Sequence, residues 1–303
     1  MSKTAYTEHG IILKTTKLKE TDLIVQLLND RGELVSAFAY GPRKPGSKFG
    51  AQLSVFNELE LLLRPGKGLA SIAEASLIYY PSKLASNYSA YLGACALMSF
   101  LSKSSYEGLE DPLIFAMSAK ALRCMNEWAD QPYGSEFIAL ASILKLLAQM
   151  GFQPNLDLPD EDCGQEALKL VFDMTQGSCD FFEADLIDPS QQLLLSPDLI
   201  AWLRFLLFSS YEQIYEHLNA APVEQRCPDI VAGQELVQED AQKVAQEAVQ
   251  GLAQGVESSK AKNWSALLLE IQDFVLSWAE FCLGRKLGAF TLWKNESRAS
   301  QVT

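Results

Sequence analysis

The apolar residues of the first eighty positions recur with a period of two, and this pattern stops at Pro81. Val55 to Arg64 shows it most clearly: Leu59, Leu61 and Leu63 fall on one face, and Glu58, Glu60 and Arg64 on the other. Such alternation is the mark of a half-buried strand. Ile11, Leu13 and Thr15 alternate with Ile12, Lys14 and Thr16, and Leu23, Val25 and Leu27 share a face. Leu28 to Gly32 reads as a turn into a strand over 33–40, and Pro65-Gly66-Lys67-Gly68 as a turn into a fifth strand over 69–79. Small residues on the third strand (Ser36, Ala37, Ala39) suit a tightly curved wall. Five short strands with Gly-rich turns predict a small closed barrel, because closure removes exposed strand edges.

Beyond Pro81 the spacing changes to three and four, which predicts helices over 83–103, 112–129 and 135–150. Phe137, Leu140, Ala141, Leu144, Leu147 and Ala148 form one stripe, stopped by Gly151 and Pro154. Ser196-Pro197 predicts a helix start, with the helix running to about Ser209, and Trp264 to Cys282 predicts a further helix. The stretch 157–188 holds ten acidic residues and one Lys, and reads as an irregular loop or a short β excursion. Gln at 234, 238, 242, 246, 250 and 254 marks 222–262 as an insert of biased composition, read as an exposed helix or linker. The expectation is therefore an α+β, multi-domain chain. A five-stranded OB-fold β-barrel occupies 1–80, and a mainly α-helical domain with the acidic loop and the insert occupies 81–303.

The formal charge of −13 is unevenly spread. Residues 1–83 carry 11 Lys or Arg against 8 Asp or Glu, a net of +3, whereas the rest of the chain sums to −16. That balance disfavours a protein that coats nucleic acid indiscriminately, but leaves room for a local basic site. Six cysteines stand singly, with no CxxC pair for a zinc ribbon and no dense disulfide framework. MSKTAYTEHG has no apolar core of a signal peptide, and Leu199 to Phe208 is broken by Arg204 and too short to span a bilayer. These features predict reduced cysteines, a cytoplasmic location and no membrane association.

Catalytic constellations are not legible. His9 and His217 have no nucleophile in a recognisable elbow such as GxSxG, and a packing or surface role is preferred for both. Gly66-Lys67-Gly68 is a hairpin turn rather than a P-loop. Asp157, Asp160, Glu161 and Asp162 lack the spacing of a calcium loop, and Cys163 and Cys179 are read as free thiols. No enzyme, no cofactor and no metal are expected.

One segment rises above this background. Gly41-Pro42-Arg43-Lys44-Pro45-Gly46-Ser47-Lys48-Phe49-Gly50 lies between two barrel strands, inside a window free of acidic residues from Glu33 to Glu58. Its glycines let backbone approach a phosphate, and its three cations over six residues neutralise backbone charge. Phe49 offers either a stacking face or a pin for the loop, and the pin is favoured. On a barrel of OB size such a loop points to single-stranded nucleic acid. Arg43, Lys44 and Lys48 are the expected phosphate contacts, with Lys14, Arg64 and Lys67 as secondary candidates.

These same residues resemble the N-terminal domain of the RecO recombination mediator family. The resemblance is carried by Gly10-Ile11-Ile12-Leu13, Glu20-Thr21-Asp22-Leu23-Ile24 and Gly32-Glu33-Leu34-Val35-Ser36-Ala37 leading to Tyr40-Gly41-Pro42-Arg43-Lys44. Its most specific part is Ser47-Lys48-Phe49-Gly50-Ala51-Gln52-Leu53 with Phe56-Asn57-Glu58-Leu59-Glu60-Leu61. Leu146 to Leu156, Leu195-Ser196-Pro197 and Leu283 to Leu287 are similar to later family positions. Many members carry a four-cysteine zinc site after the helix-end segment; only Cys163 and Cys179 stand in that region here. The resemblance implies a non-enzymatic mediator of DNA repair and homologous recombination. Such a protein binds single-stranded DNA, promotes annealing, and works with RecR to load the RecA recombinase where single-strand-binding protein coats the DNA. The RecA filament would be an indirect partner. Two other readings are a protein-interaction module whose degenerate OB barrel binds no DNA, and a hydrolase using the carboxylates at 157–162.

Overall fold

A computed structural model of the chain describes residues 4–47, 49–158, 168–220 and 264–299. Lys48, the acidic residues 160–162 with Cys163, and the insert 222–262 lie outside the described residues. The chain divides into two compact units, Met1–Gln153 with Val275–Thr303, and Pro154–Phe274.

The first unit begins with the expected barrel. Strands β1 (Tyr6–Leu18), β2 (Asp22–Asn29), β3 (Leu34–Ala39), β4 (Glu58–Arg64) and β5 (Ala70–Tyr79) close in the order β1-β2-β3-β5-β4. All neighbours are antiparallel except β3 and β5, which pair in parallel through Ala37–Ala70 and Phe38–Ser71. The interior is filled by Ile12, Val25, Leu27, Ala37, Ala39, Leu59, Leu61, Leu63 and Ile72, with Phe49 and Leu53 from the connection between β3 and β4. Full burial of each large side chain here contributes about 1.5–3 kcal/mol.

Two local departures from simple alternation matter. Ile12 pairs with Leu27, whereas Lys14 pairs with Gln26, so Leu13 is an extra residue on β1. This bulge reverses the expected facing: Ile12 and Lys14 have the same parity, yet Ile12 is interior and Lys14 exposed. The fourth strand begins at Glu58 rather than Val55, because Phe56 takes a left-handed backbone (φ 78°) and packs edge-on to Tyr91.

Helices α1 (Tyr88–Ser104), α2 (Pro112–Glu127) and α3 (Gly134–Gln149) follow in the same unit. The first starts later than its apolar spacing suggests. Asn87 caps it by accepting from the Ala90 N–H at 3.0 Å, while the Lys83 N–H is taken by the Asn126 side chain at 2.8 Å. Gly151 (φ 86°) ends α3 as expected. Helix α1 packs on β1 and β2, burying the outer-face residues Ile11 and Leu28. From α2, Arg123 reaches the buried carboxylate of Glu58 at 2.6 Å and lies over the Tyr79 ring. A further helix not anticipated from spacing, Gly288–Ala299, packs on α1.

In the second unit the acidic stretch contains real strands. Leu168–Asp173, Ser178–Glu183 and Gln192–Leu194 (β6, β7, β8) form a sheet ordered β7-β6-β8. Ser196 caps α4 (Pro197–Phe208) by accepting from the Leu199 N–H, and α5 (Tyr211–Ala220) follows. Helix α6 (Trp264–Leu283) passes from this unit into the first, and the Gly288–Ala299 helix is α7.

Candidate nucleic-acid interface

The segment after Ala39 is built as a folded loop. The Lys44 N–H bonds to the Gly41 carbonyl at 3.1 Å, and the Ser47 N–H to the Lys44 carbonyl at 3.1 Å, giving two successive turns. Gly46, the third residue of the second turn, supplies its positive φ of 74°, and Gly41 (φ 69°) bends the chain as it leaves β3. The loop is tied to the β1–β2 turn at its root: the Gly41 N–H donates to Asp22 Oδ1 at 2.9 Å, and the Arg43 N–H to the Thr21 carbonyl at 3.2 Å. At its far end Phe49 is 6% exposed and belongs to the barrel interior. Its ring therefore pins the loop and offers no open stacking face.

Arg43 and Lys44 are exposed, and neither forms an ion pair with a described residue. The same holds for Lys14, Arg64 and Lys67. Three other cations of this unit are committed elsewhere. Arg31 holds Glu8 at 2.9 Å, Lys83 holds Asp130 at 2.8 Å, and Arg123 holds Glu58 at 2.6 Å. The fold thus separates structural cations from available ones, and the candidates named from sequence whose structure is described fall in the second group.

Register turns Lys14 and Arg64 outward from the barrel wall. Directly paired residues share a face, so Thr16, Ile24, Phe38, Ser71 and Arg64 form one row across four strand pairs. Lys14, Gln26 and Ser36 form the neighbouring row. Arg64 lies two strands from Phe38, about 10 Å at the usual strand spacing. Lys67 follows in the β4–β5 turn, and Lys44 stands at the loop that leaves β3. In barrels of this kind the β2–β3 face and the β1–β2 and β4–β5 turns receive single strands.

Two cations at the β1–β2 end of the barrel and two aromatics on its outer face were missed in the sequence. Lys17 and Lys19 are exposed and unpaired among the described residues, at the end of β1 and in the turn to which the basic loop is tied. They could have been found by counting cations around the turn as well as the loop. Phe38 and Tyr40 stack on each other outside the barrel, ring centroids 6.2 Å apart at 26°. Their signal was the alternation Ala37-Phe38-Ala39-Tyr40, which puts two aromatics on the face opposite two interior alanines.

The histidines take packing positions. His9 Nε2 is 2.9 Å from Glu58 Oε1, and its ring meets Phe115 edge-on. His217 lies against Trp202 and Phe205. Among the described residues no three His, Cys, Asp or Glu side chains stand together as a metal group. Burial, reinforced by Asp157, pushes the Cys179 thiol up to about 11, so it holds its proton at neutral pH. Among the described residues no helix is long and apolar enough to cross a membrane.

Comparison with known proteins agrees with this architecture. Residues 1–81 match the family description "Recombination protein O N terminal", and residues 85–220 match "Recombination protein O C terminal". A DNA repair protein RecO of Thermobifida fusca is 30% identical over 211 residues, covering 68% of this chain and 83% of that protein. The DNA repair protein RecO of Bifidobacterium longum subsp. infantis is 28% identical over 152 residues, 50% of this chain and 63% of the relative.

Proposed function

From the premise that the chain belongs to the RecO family, whose matched relatives are named DNA repair proteins, we propose that it acts without catalysis in DNA repair, binding single-stranded DNA on the outer face of its barrel. The observation that carries this reading is the set of exposed cations without ion pairs around one face and loop of an otherwise acidic chain. Each phosphate neutralised by such a cation releases condensed counterions, so the grip is salt-sensitive. A few contacts give a modest grip, which suits a protein that hands DNA on. On this reading the protein works in the cytoplasm, promotes annealing, and helps load RecA together with RecR on DNA covered by single-strand-binding protein. The acidic remainder of the chain is suited to protein partners rather than to DNA.

The test is anisotropy of a labelled single-stranded oligonucleotide titrated at rising salt. Wild type is expected to bind at low salt and to weaken as salt rises. The variant Arg43→Ala with Lys44→Ala and Lys48→Ala is expected to bind less tightly. Absence of binding at low salt, or an unchanged affinity in the triple variant, overturns the proposal. Pull-downs with RecR and with the single-strand-binding protein test the partners separately.

A further inference from the structure

We propose that Tyr40, backed by Phe38, is a base-stacking platform that makes the barrel face select unpaired bases over duplex DNA. The inference rests on the reading that this face binds DNA and adds the group that recognises the base rather than the phosphate.

At the end of β3, Ala37 and Ala39, both fully buried in the barrel, alternate with Phe38 and with Tyr40 just beyond the strand, both on the outside. The two outer rings differ in cover. Phe38 is half-buried, whereas Tyr40 is 63% exposed. The near-parallel stack, with centroids 6.2 Å apart at 26°, sets Phe38 beside a Tyr40 ring that is otherwise largely exposed. Among the described residues no hydrogen bond or ion pair engages the Tyr40 hydroxyl. The backbone that carries the ring is held in place. Ala39 pairs with Leu23, and Gly41 is held by Asp22, so the backbone is fixed on both sides of Tyr40.

Cations flank the platform. Lys44 folds back so that its aliphatic stem lies against Gly41, where an added Cβ would stand 3.2 Å from the Lys44 Cδ. The Lys44 stem thus lies beside the residue that follows Tyr40 in the chain. Along the wall, the row Phe38–Ser71–Arg64 leads to the exposed guanidinium of Arg64. A flat ring between cations matches a nucleotide's two needs, a surface for the base and positive charge for the phosphates on either side. Bases in a duplex are already stacked and cannot reach the ring. Stacking is available to every base, so the platform discriminates strandedness rather than sequence.

The test uses the full-length protein with three probes: a thymine oligonucleotide, an abasic oligonucleotide of equal length, and a duplex. Tyr40→Ala is expected to bind the thymine oligonucleotide about 5- to 100-fold more weakly, with an unchanged salt slope. Abasic and duplex binding are expected to stay at wild-type levels, which also shows that the variant is folded. Tyr40→Phe is expected to restore thymine binding, since the ring and not the hydroxyl is used. If wild type binds the thymine oligonucleotide and Tyr40→Ala binds it equally well, the platform is wrong and the DNA-binding reading stands. A loss in Tyr40→Ala that extends equally to the abasic probe also overturns the platform. If wild type binds no single strand, the functional reading itself falls.

Discussion

The carboxylate of Asp22 accepts a hydrogen bond from the Gly41 backbone N–H at 2.9 Å and so fixes the root of the basic loop to the first residue of β2. An acidic residue thus organises the most cationic segment of the barrel. Its other contact, from the Thr21 hydroxyl at 3.2 Å, is also part of the β1–β2 turn. Asp22→Ala is expected to cost about 1.5–3 kcal/mol of stability, typical for a hydrogen bond to a charged acceptor. It is also expected to raise protease cleavage within 41–47 and weaken single-strand binding, although it removes a negative charge. Urea unfolding, limited proteolysis and the anisotropy titration check the three parts. Tighter binding would show that Asp22 acts through its charge and not by positioning.

The salt dependence of binding counts the phosphates contacted. Each neutralised phosphate on a single strand adds about 0.7 to the slope of log K against log salt. Arg43→Ala with Lys44→Ala is therefore expected to lower the slope by about 1.4. Lys83→Ala is expected to leave it unchanged, because Lys83 is occupied by Asp130.

Gly32 joins the barrel to the helices with no room for a side chain. Its φ of 87° favours glycine, and an added Cβ would collide with the Asp111 carbonyl at the start of α2. Gly32→Ala is expected to destabilise the unit by at least about 2 kcal/mol through backbone strain and overpacking. A fall in Tm by circular dichroism measures it.

Glu136 sets a pH dependence. It lies buried in the first turn of α3, where desolvation raises its pKa and the Ser89 hydroxyl donates to it. The folded state therefore holds this proton more tightly than the unfolded chain. Its stabilising contribution is complete below the ordinary carboxylate pKa and is lost as pH rises through the raised folded value. Glu136→Gln keeps the Ser89 contact and removes the titration. Its stability, read as the urea midpoint, is expected to fall less than wild type's as pH rises through that window.

Local pattern carried much of this architecture. Leu59, Leu61 and Leu63 alternate because a strand presents every second residue to one side, and the barrel interior receives all three. Asn87, Asp111 and Ser196 cap the helices that begin beside them, an interaction within three residues. The exposed basic loop was legible for the same reason, since its glycines and cations are contiguous.

Other features depend on residues distant in the chain. Whether an Arg is structural or available cannot be read from its neighbours: Arg31 is taken by Glu8, and Arg123 by Glu58. The facing of Lys14 depends on a bulge that appears only when β1 pairs with β2. The aromatic step of Phe38 and Tyr40 acquires its setting from the parallel pairing of β3 with β5, which brings Arg64 onto the same row. Periodicity and caps are short-range consequences of backbone geometry and survive in any context. The choice of which charges remain free, and which rings remain open, is made by long-range packing.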